Sequence, residues 1–455
     1  MGSALPEKKG GNLKDIILKT ALPVLGIIAA LIRIFYIWYT PVWRRQHDVL
    51  DFGAGEGQAA FIEFFHDGHF LLDFDPREKW GFFQPPLHHM ISALFIRIQE
   101  LCGIAYGAAC ERVQILMLIY SLITLFFAYK IFRYFRLEGS ALIISFAIAA
   151  MHPGFILMSG SINNDMLTIM LTVIAFYLTL KWNEKPSWLL TVLLALTIGF
   201  GMMTKLSAAL IAPSVAIVFL IRMIKGGMDD FVTYMKKYVA FCFICAPLAL
   251  WSPIRNYIVF GVPLSYTPSV GEPVEASLFR RIFDIRCYSP YISRISNGDP
   301  YDEFNILLGM MKTSLFGDEN FAYAVSEAGH SRAGYALISL FGWTVLISGV
   351  ILAFIALYAT IRELISDRDI AADIRVFIAA VYLTGMYMYI SFVFKAPYMS
   401  SMDFRYVLYL IVVEALMAGI WMKGRNDRLI PAMGILTLAF TVSATAVYLM
   451  LSMAG

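Results

Sequence analysis

Residues 87–104 read Leu-His-His-Met-Ile-Ser-Ala-Leu-Phe-Ile-Arg-Ile-Gln-Glu-Leu-Cys-Gly-Ile, and their reading decides how often the chain crosses a membrane. The run is apolar enough to be a twelfth candidate span, yet it carries His88, His89, Arg97, Gln99 and Glu100. A central charge costs roughly 2.5–3.5 kcal/mol on insertion scales, so the segment is marginal as a span. If it crossed, the next loop, with Lys130, Arg133 and Arg136, would face outward, and every later loop would change sides. Laid along the surface as an amphipathic helix, it leaves all the basic clusters on one side. These are Lys130/Arg133/Arg136, Lys181/Lys185, Arg222/Lys225/Lys236/Lys237, Arg362/Arg368/Arg375 and Lys423/Arg425/Arg428. That is the distribution the positive-inside rule requires.

Composition agrees with a membrane chain. Of 455 residues 59% are apolar and 15% charged, against roughly 25% charged in a soluble domain. The apolar residues fall into runs of about 18–24, long enough to cross the hydrocarbon as helix, and helices satisfy their own backbone groups in lipid. The fold expected is an all-α polytopic membrane protein with about eleven transmembrane helices. They cover 16–39, 112–132, 140–158, 165–182, 188–203, 207–223, 238–258, 333–358, 374–394, 404–422 and 429–451. The chain reads as a single transmembrane domain over 1–455, with a cytoplasmic arm at 1–15. Two large extracytoplasmic loops cover 41–111 and 260–332, the first carrying interfacial helices, and acids outnumber bases in both. The run at 16–39 is long for a cleaved leader and reads as an anchor, with Lys8, Lys9, Lys14 and Lys19 holding the N-terminus in the cytoplasm.

Several classes drop out. A net charge of +3 argues against nucleic acid as a partner, and no Gly-rich phosphate loop stands in a strand–helix context. The five cysteines do not form a disulfide scaffold: Cys242 and Cys245 lie in an apolar helix, and Cys102 and Cys110 either pair across a turn or stay free. No repeat or pair of interrupted helices points to a transporter.

The polar residues worth weighing collect on the outer side. His47-Asp48 follow the first span, where an acid in a desolvated cleft can serve as a general base, or can be an ordinary loop acid. Gln84-Pro85-Pro86 starts the helix at Leu87, holding Gln84 and His88 at a fixed height, or merely facing the histidines to headgroups. Asn163-Asn164-Asp165 enters the fourth span as a helix cap or as a second acid for an acceptor or metal. Lys205, Arg255 and Arg405 sit at outer turns, where cations suit an anionic partner or snorkel to the interface. Tyr288 and Tyr291 in the second loop can stack on sugar or pack the loop on itself. Arg33 and Glu414 lie within spans, and for Glu414 an interhelical pair is the favoured reading.

The order of these features resembles the GT-C membrane glycosyltransferases over roughly 16–422, particularly the branch of protein O-mannosyltransferases and the lipid A aminoarabinose transferase. The resemblance implies a polyprenyl-phosphate sugar donor and an extracytoplasmic glycan, lipid or protein acceptor. It makes Asp48 the base and puts Lys205 and Arg405 near donor phosphates. Gln84 stands where the family usually has His or Lys, and the family's Asp-Glu pair is reduced to Asp48 alone. No cofactor is called for, and a divalent metal is left open. The activity implied is a glycosyltransferase moving a single sugar with inversion, in a bacterial plasma membrane. The rivals are a glycan polymerase or ligase, and a lipid-linked sugar flippase or transporter.

Overall fold

In the computed structural model the protein is an all-helical polytopic membrane protein, with no strand among the described residues. Those are 13–44, 51–264, 266–268, 277–291, 305–317, 332–366, 369–423, 425 and 428–453. The helices before the chain midpoint are α1 (Leu13–Tyr39), α2 (Gly57–His66), α3 (Leu87–Leu101), α4 (Tyr106–Glu111), α5 (Gln114–Tyr134), α6 (Gly139–Ala150), α7 (Pro153–Met158), α8 (Asp165–Glu184), α9 (Trp188–Thr204) and α10 (Ala212–Phe260). Then follow α11 (Leu278–Phe283), α12 (Ile306–Phe316), α13 (Arg332–Ile365), α14 (Ala372–Lys395), α15 (Leu410–Met422) and α16 (Leu429–Met453). Three 3-10 turns, Leu206–Ile211, Met399–Met402 and Phe404–Val407, occupy joints between helices.

Eight helical segments among the described residues are long and apolar enough to cross a membrane, and a pair bent by 55° ahead of α15 makes up to nine. The other two expected spans are present as shorter helices, so length and composition alone do not establish eleven crossings. One is α9, with 17 residues. The other, expected at 140–158, divides into α6 and α7 at His152-Pro153. Proline brings no N–H to continue the ladder, and His152 Nδ1 accepts the Gly154 N–H at 3.2 Å to start a new helix. The joint expected between 223 and 238 falls at Gly227, whose φ of 65° and ψ of −165° divide α10 into two arms, each part of a segment long enough to cross a membrane; the arms fold back on one another, the Tyr238 hydroxyl donating to the Phe219 carbonyl at 2.6 Å. Within the second large loop the structure places α12, a largely buried helix absent from the sequence reading. Asn305 Oδ1 caps it by accepting the Leu308 N–H at 2.9 Å.

The Leu87 helix is not among the candidate spans. It packs on α2 with His88, His89, Ser92, Ala93 and Ile96 buried, and exposes the apolar stripe Leu94, Ile98 and Leu101. Exposed apolar residues one turn apart suit a helix lying at a lipid boundary. The histidines therefore point into the protein, not toward headgroups. Nearby, Gly81 has φ 87°, and a Cβ there would lie 2.8 Å from the Gly57 carbonyl carbon, so only glycine fits where the loop closes on α2.

Direct contacts gather the basic clusters at one end of the bundle. Lys423 Nζ donates to the Phe135 carbonyl (3.2 Å), Arg425 pairs with Glu363 (3.8 Å), and Lys225 with Asp373 (3.2 Å). Asn183 Nδ2 also donates to Asp373 (3.1 Å) and accepts from Arg222 Nε (2.9 Å). Each of the five clusters contributes a residue, or one within two positions of it, to this set. All five cysteines are free thiols, which settles Cys102 and Cys110 as unpaired.

Helix contacts in the bundle depend on small residues. At Gly419 in α15 a Cβ would sit 2.5 Å from Leu137 Cδ1 and collide with Ser145 of α6, whereas Gly434 in α16 has open space around it. Gly419→Ala should therefore destabilise the detergent-solubilised protein by about 1–3 kcal/mol through overpacking. Gly434→Ala should be neutral or stabilising by up to about 1 kcal/mol. Thermal unfolding of the two variants tests this; equal midpoints would show that α6 and α15 do not meet as described.

Candidate functional site

At the opposite end of the bundle, two helix joints and one helix start converge on a single carboxylate. Asp165 opens α8 and is 2% exposed; its N–H is capped by Asn163 Oδ1 at 3.0 Å. Lys205 ends α9 in an extended conformation (φ −158°, ψ 131°), which turns the chain into the 3-10 segment and carries its ammonium onto Asp165. Arg405 Nε lies 3.5 Å from Asp165 and 3.5 Å from Asp403. Asp403 also caps the Phe404–Val407 turn, accepting the Arg405 N–H at 2.9 Å. Among the described residues the buried cluster thus holds two carboxylates and two cations.

The turn bearing Arg405 is clamped from outside. Thr313 of α12 accepts the Phe404 N–H at 3.0 Å, and the Tyr389 hydroxyl donates to the Met402 carbonyl at 2.6 Å. Tyr406 follows, and its ring takes both cations: Lys205 Nζ is 5.0 Å and Arg405 Cζ 5.1 Å from the centroid.

Over this cluster opens a cleft of about 260 Å³. Its lining includes Lys205, Tyr406 and Ser400 together with Trp80, Phe83 and Gln84. Gln84 is fixed by Asn164, whose Nδ2 donates to its Oε1 (3.4 Å) and to the Thr204 carbonyl (3.0 Å). The Pro-Pro helix start is held on the membrane helices by His88, which donates from Nε2 to the Ile162 carbonyl at 2.8 Å. His89 bonds Gln58 of α2 at 2.6 Å.

The expected site residues thus separate into groups. Gln84 and Lys205 line the cleft; Asp165 and Arg405 lie buried behind it, ion-paired. His88 is fully buried and serves as a pin beneath the cleft, not as a lining residue. Arg255 does not join the other two cations: it donates to the Leu72 carbonyl at 2.6 Å, tying the first loop to α10. Tyr291 is buried, donating to the Ile338 carbonyl at 2.8 Å and packed on Phe316, while Tyr288 is exposed on the surface. His47 and Asp48 fall outside the described residues. The sequence reading did not single out Ser400, Thr313, Trp80 or Phe83 as site residues. The aromatic pair just ahead of Gln84-Pro85 was a signal available to find one wall. Glu414 makes the expected interhelical contact, accepting from Tyr382 of α14 at 3.2 Å. Among the described residues no group of three or more His, Cys, Asp or Glu side chains is placed to hold a metal ion.

Comparison with known proteins bears on this arrangement. A model of the dolichyl-phosphate-mannose-protein mannosyltransferase family matches residues 84–251, which include Gln84, Asp165 and Lys205. The resemblance to GT-C membrane glycosyltransferases read from motif order is therefore supported independently over that stretch. No curated protein sequence matches. Among solved structures, ArnT from Cupriavidus metallidurans in the apo state is similar with 14% identity, 96% of this chain and 78% of that one covered, and a TM-score of 0.44. The Archaeoglobus fulgidus oligosaccharyltransferase in complex with Zn and sulfate gives 14% identity, coverage of 93% and 53%, and a TM-score of 0.49. The same archaeal enzyme, AglB, with an inhibitory peptide and a dolichol-phosphate gives 14%, 95%, 56% and 0.44. The chain thus spans little more than half the length of the archaeal enzyme.

His88 generates a pH test. Burial pushes its pKa down from 6.5 to about 4, against a smaller upward pull from the bond to the Ile162 carbonyl. Below pH 6.5 the unfolded chain takes up a proton that the folded state refuses until about pH 4. The contribution of His88 to stability is therefore intact above 6.5 and declines as pH falls through that window, by about 1.4 kcal/mol per pH unit at most. His88→Asn removes one of two adjacent buried histidines that burial keeps neutral, and should make the slope of stability between pH 6.5 and 4 shallower, with His89 still contributing. Identical slopes in the two proteins would show that His88 is not buried neutral.

Proposed function

We propose that this chain is a membrane glycosyltransferase that moves one sugar from a polyprenyl-phosphate donor to an acceptor outside the cytoplasm, with inversion. The observation that carries the reading is Lys205. It is a cation at a helix joint, facing a cleft walled by aromatic rings, within the stretch that matches a family described by its lipid-phosphate-mannose donor. Trp80 and Phe83 offer apolar faces on which a sugar ring can rest, and Gln84 a fixed amide to orient it. In this reading Asp48 deprotonates the acceptor hydroxyl as its oxygen attacks the anomeric carbon from the face opposite the phosphate. The bond from that carbon to the phosphate oxygen breaks, and its electron pair leaves with the lipid phosphate. Lys205 meets the growing negative charge, which is electrostatic stabilisation of the transition state.

Arg405 and Asp165 are positioning residues in this scheme, since their burial keeps them from the ligand while their charges set where Lys205 stands. Arg255 acts one step further away, by anchoring the loop that carries the Trp80 wall. The acceptor is a glycan, lipid or protein. The N-terminal end lies in the cytoplasm and the cleft on the opposite side of a bacterial plasma membrane, the orientation that the basic clusters favour. No metal is given a step.

Purified protein supplied with a radiolabelled polyprenyl-phosphate sugar tests the reading directly. One labelled sugar on the acceptor is the expected product. Transfer of a whole glycan would support a polymerase or ligase instead, and movement of the lipid without bond formation a flippase. Lys205→Ala should lower kcat/KM by about 100- to 1,000-fold, the usual cost of losing a stabilising donor. Asp48→Asn should abolish turnover and leave donor binding within about twofold; undiminished turnover would remove Asp48 from the mechanism.

A further inference from the structure

The second large loop meets α13 at a depth that the helices define. Glu363, near the end of α13, pairs with Arg425 at the basic end of the bundle, so α13 starts at the opposite end. Gly349 marks the middle of the hydrocarbon. A Cβ there would sit 3.3 Å from Phe440 Cε2, and Phe440 is near the midpoint of α16, Leu429–Met453. Ile338, three turns nearer the start of α13, is about 16 Å away along the axis, and the edge of the hydrocarbon is about 15 Å from its middle. The Tyr291 hydroxyl donates to the Ile338 carbonyl at 2.8 Å, and a Cβ at Gly342 would meet Pro290 Cγ at 2.9 Å. Residues 290–291 therefore lie at the hydrocarbon edge. From the other side, Leu315 of α12 also packs on Gly349, its Cδ1 3.2 Å from the same Cβ position. With 11 residues α12 is about 16 Å long. Whichever way it tilts, Asn305 at its start cannot stand far beyond that edge. Nor can Ile282, whose carbonyl accepts from Asn305 Nδ2 at 2.8 Å.

Ile282 belongs to α11, which is thereby held between hydrocarbon and headgroups. None of its six residues is buried. Leu278, Phe279 and Phe283 are 60%, 71% and 63% exposed, and Ile285 and Tyr288 just beyond are exposed as well. The Phe279 and Phe283 rings lie side by side, 4.9 Å between centroids. So short a helix does not persist in water by propensity and needs its apolar side chains covered. The same helix carries Arg280 and Arg281. Across residues 277–291 three arginines stand against one aspartate, Asp284, which Arg286 pairs at 2.5 Å, leaving a net charge of +2. Apolar side chains and arginines together at this depth suit acyl chains below and phosphates above.

We propose that α11 and the turn as far as Tyr288 form a foot that binds anionic phospholipid in the leaflet at the Lys205 end of the bundle. Leu278, Phe279, Phe283 and Ile285 lie among the acyl chains, and Arg280 and Arg281 meet the headgroup phosphates. The lipid is a bulk constituent of the bilayer and not a substrate, so the contact is independent of the reaction in the cleft. Its anchoring still reaches the candidate site. Asn305 ties α11 to α12, and Thr313 of α12 accepts the Phe404 N–H at 3.0 Å, holding the turn that carries Arg405.

The test uses the full chain in nanodiscs of equal parts phosphatidylglycerol and phosphatidylcholine with identical acyl chains. A p-benzoylphenylalanine placed at position 279 is irradiated, and its adducts are identified by mass spectrometry. Phospholipid adducts are expected, with phosphatidylglycerol favoured at least about fivefold, the factor that one arginine contributes near an anionic surface. Arg280→Gln combined with Arg281→Gln should bring the ratio to about one, with thermal unfolding confirming that the variant is folded. A second probe needs no further substitution. Raising salt from about 0.1 M to about 1 M shortens the screening length from about 10 Å to about 3 Å and should erase the preference. Failure to capture lipid at position 279, or capture of another stretch of the chain or of a second copy instead, overturns the proposal. So does an equal yield of the two lipids, or a preference that survives both the substitutions and the salt.

Discussion

Asp165 is a carboxylate removed from water at the start of a membrane helix, and the end of the bundle opposite the basic clusters is arranged around that fact. An unpaired buried charge of this kind costs several kcal/mol even after relaxation. It is compensated by cations that local helix geometry would not deliver. Lys205 arrives because α9 stops and the backbone turns extended, and Arg405 because a capped 3-10 turn precedes α15 at a 55° bend. Both helix breaks free backbone groups that would be costly unpaired in lipid; at the first, Asn164 Nδ2 donates to the Thr204 carbonyl, and at the second Asp403, Thr313 and Tyr389 take up the turn. The ion cluster, the two bends and α12 behind them are therefore one mechanical unit.

How far the sequence could be read depended on whether a feature was local. The helices follow from apolar run length, and the common side of the five basic clusters from their charge, because both are properties of contiguous stretches. Demoting residues 87–104 from a span rested on the same kind of signal. Arg255 shows where that stops: its partner is a backbone carbonyl 183 positions away, and no pattern around Arg255 specifies it. His88 is similar. On an amphipathic helix with an apolar outer stripe, the buried face is the one with histidines, the reverse of the usual inference from polarity. Of α12 only an 11-residue run was visible, apolar but for Lys312, Thr313 and Ser314 and with an Asn ahead of it, too short for a span and easily absorbed into a loop.

Within the site, the residue types were legible and their relation was not. Lys205 and Arg405 each read as a cation available to a phosphate, and Asp165 as a separate acid. The structure joins them: Arg405 pairs with two carboxylates, and among the described residues Lys205 is the cation that lines the cleft. Its side chain is 12% exposed against 3% for Arg405. Spacing in sequence, 40 residues from Asp165 to Lys205, carries no sign of this pairing.

The balance of charge bears on how such a cleft would act on the proposed reaction. Among the described residues two acids and two bases leave the cluster formally neutral, so a donor carrying one negative charge meets no large excess of positive charge from them and must compete with Asp165 for Lys205. That competition weakens ground-state binding. As the bond to the phosphate breaks, the departing lipid phosphate gains charge, and the exchange of Lys205 from carboxylate to phosphate becomes favourable at that point. Asp165 keeps Arg405 when Lys205 turns away, and the Tyr406 ring stays within about 5 Å of both cations. The buried carboxylate therefore stays paired in either state. An interaction that strengthens as the reaction proceeds raises turnover, whereas one equally strong throughout only tightens binding. A pre-paired lysine is in this respect better placed for catalysis than three free cations would be.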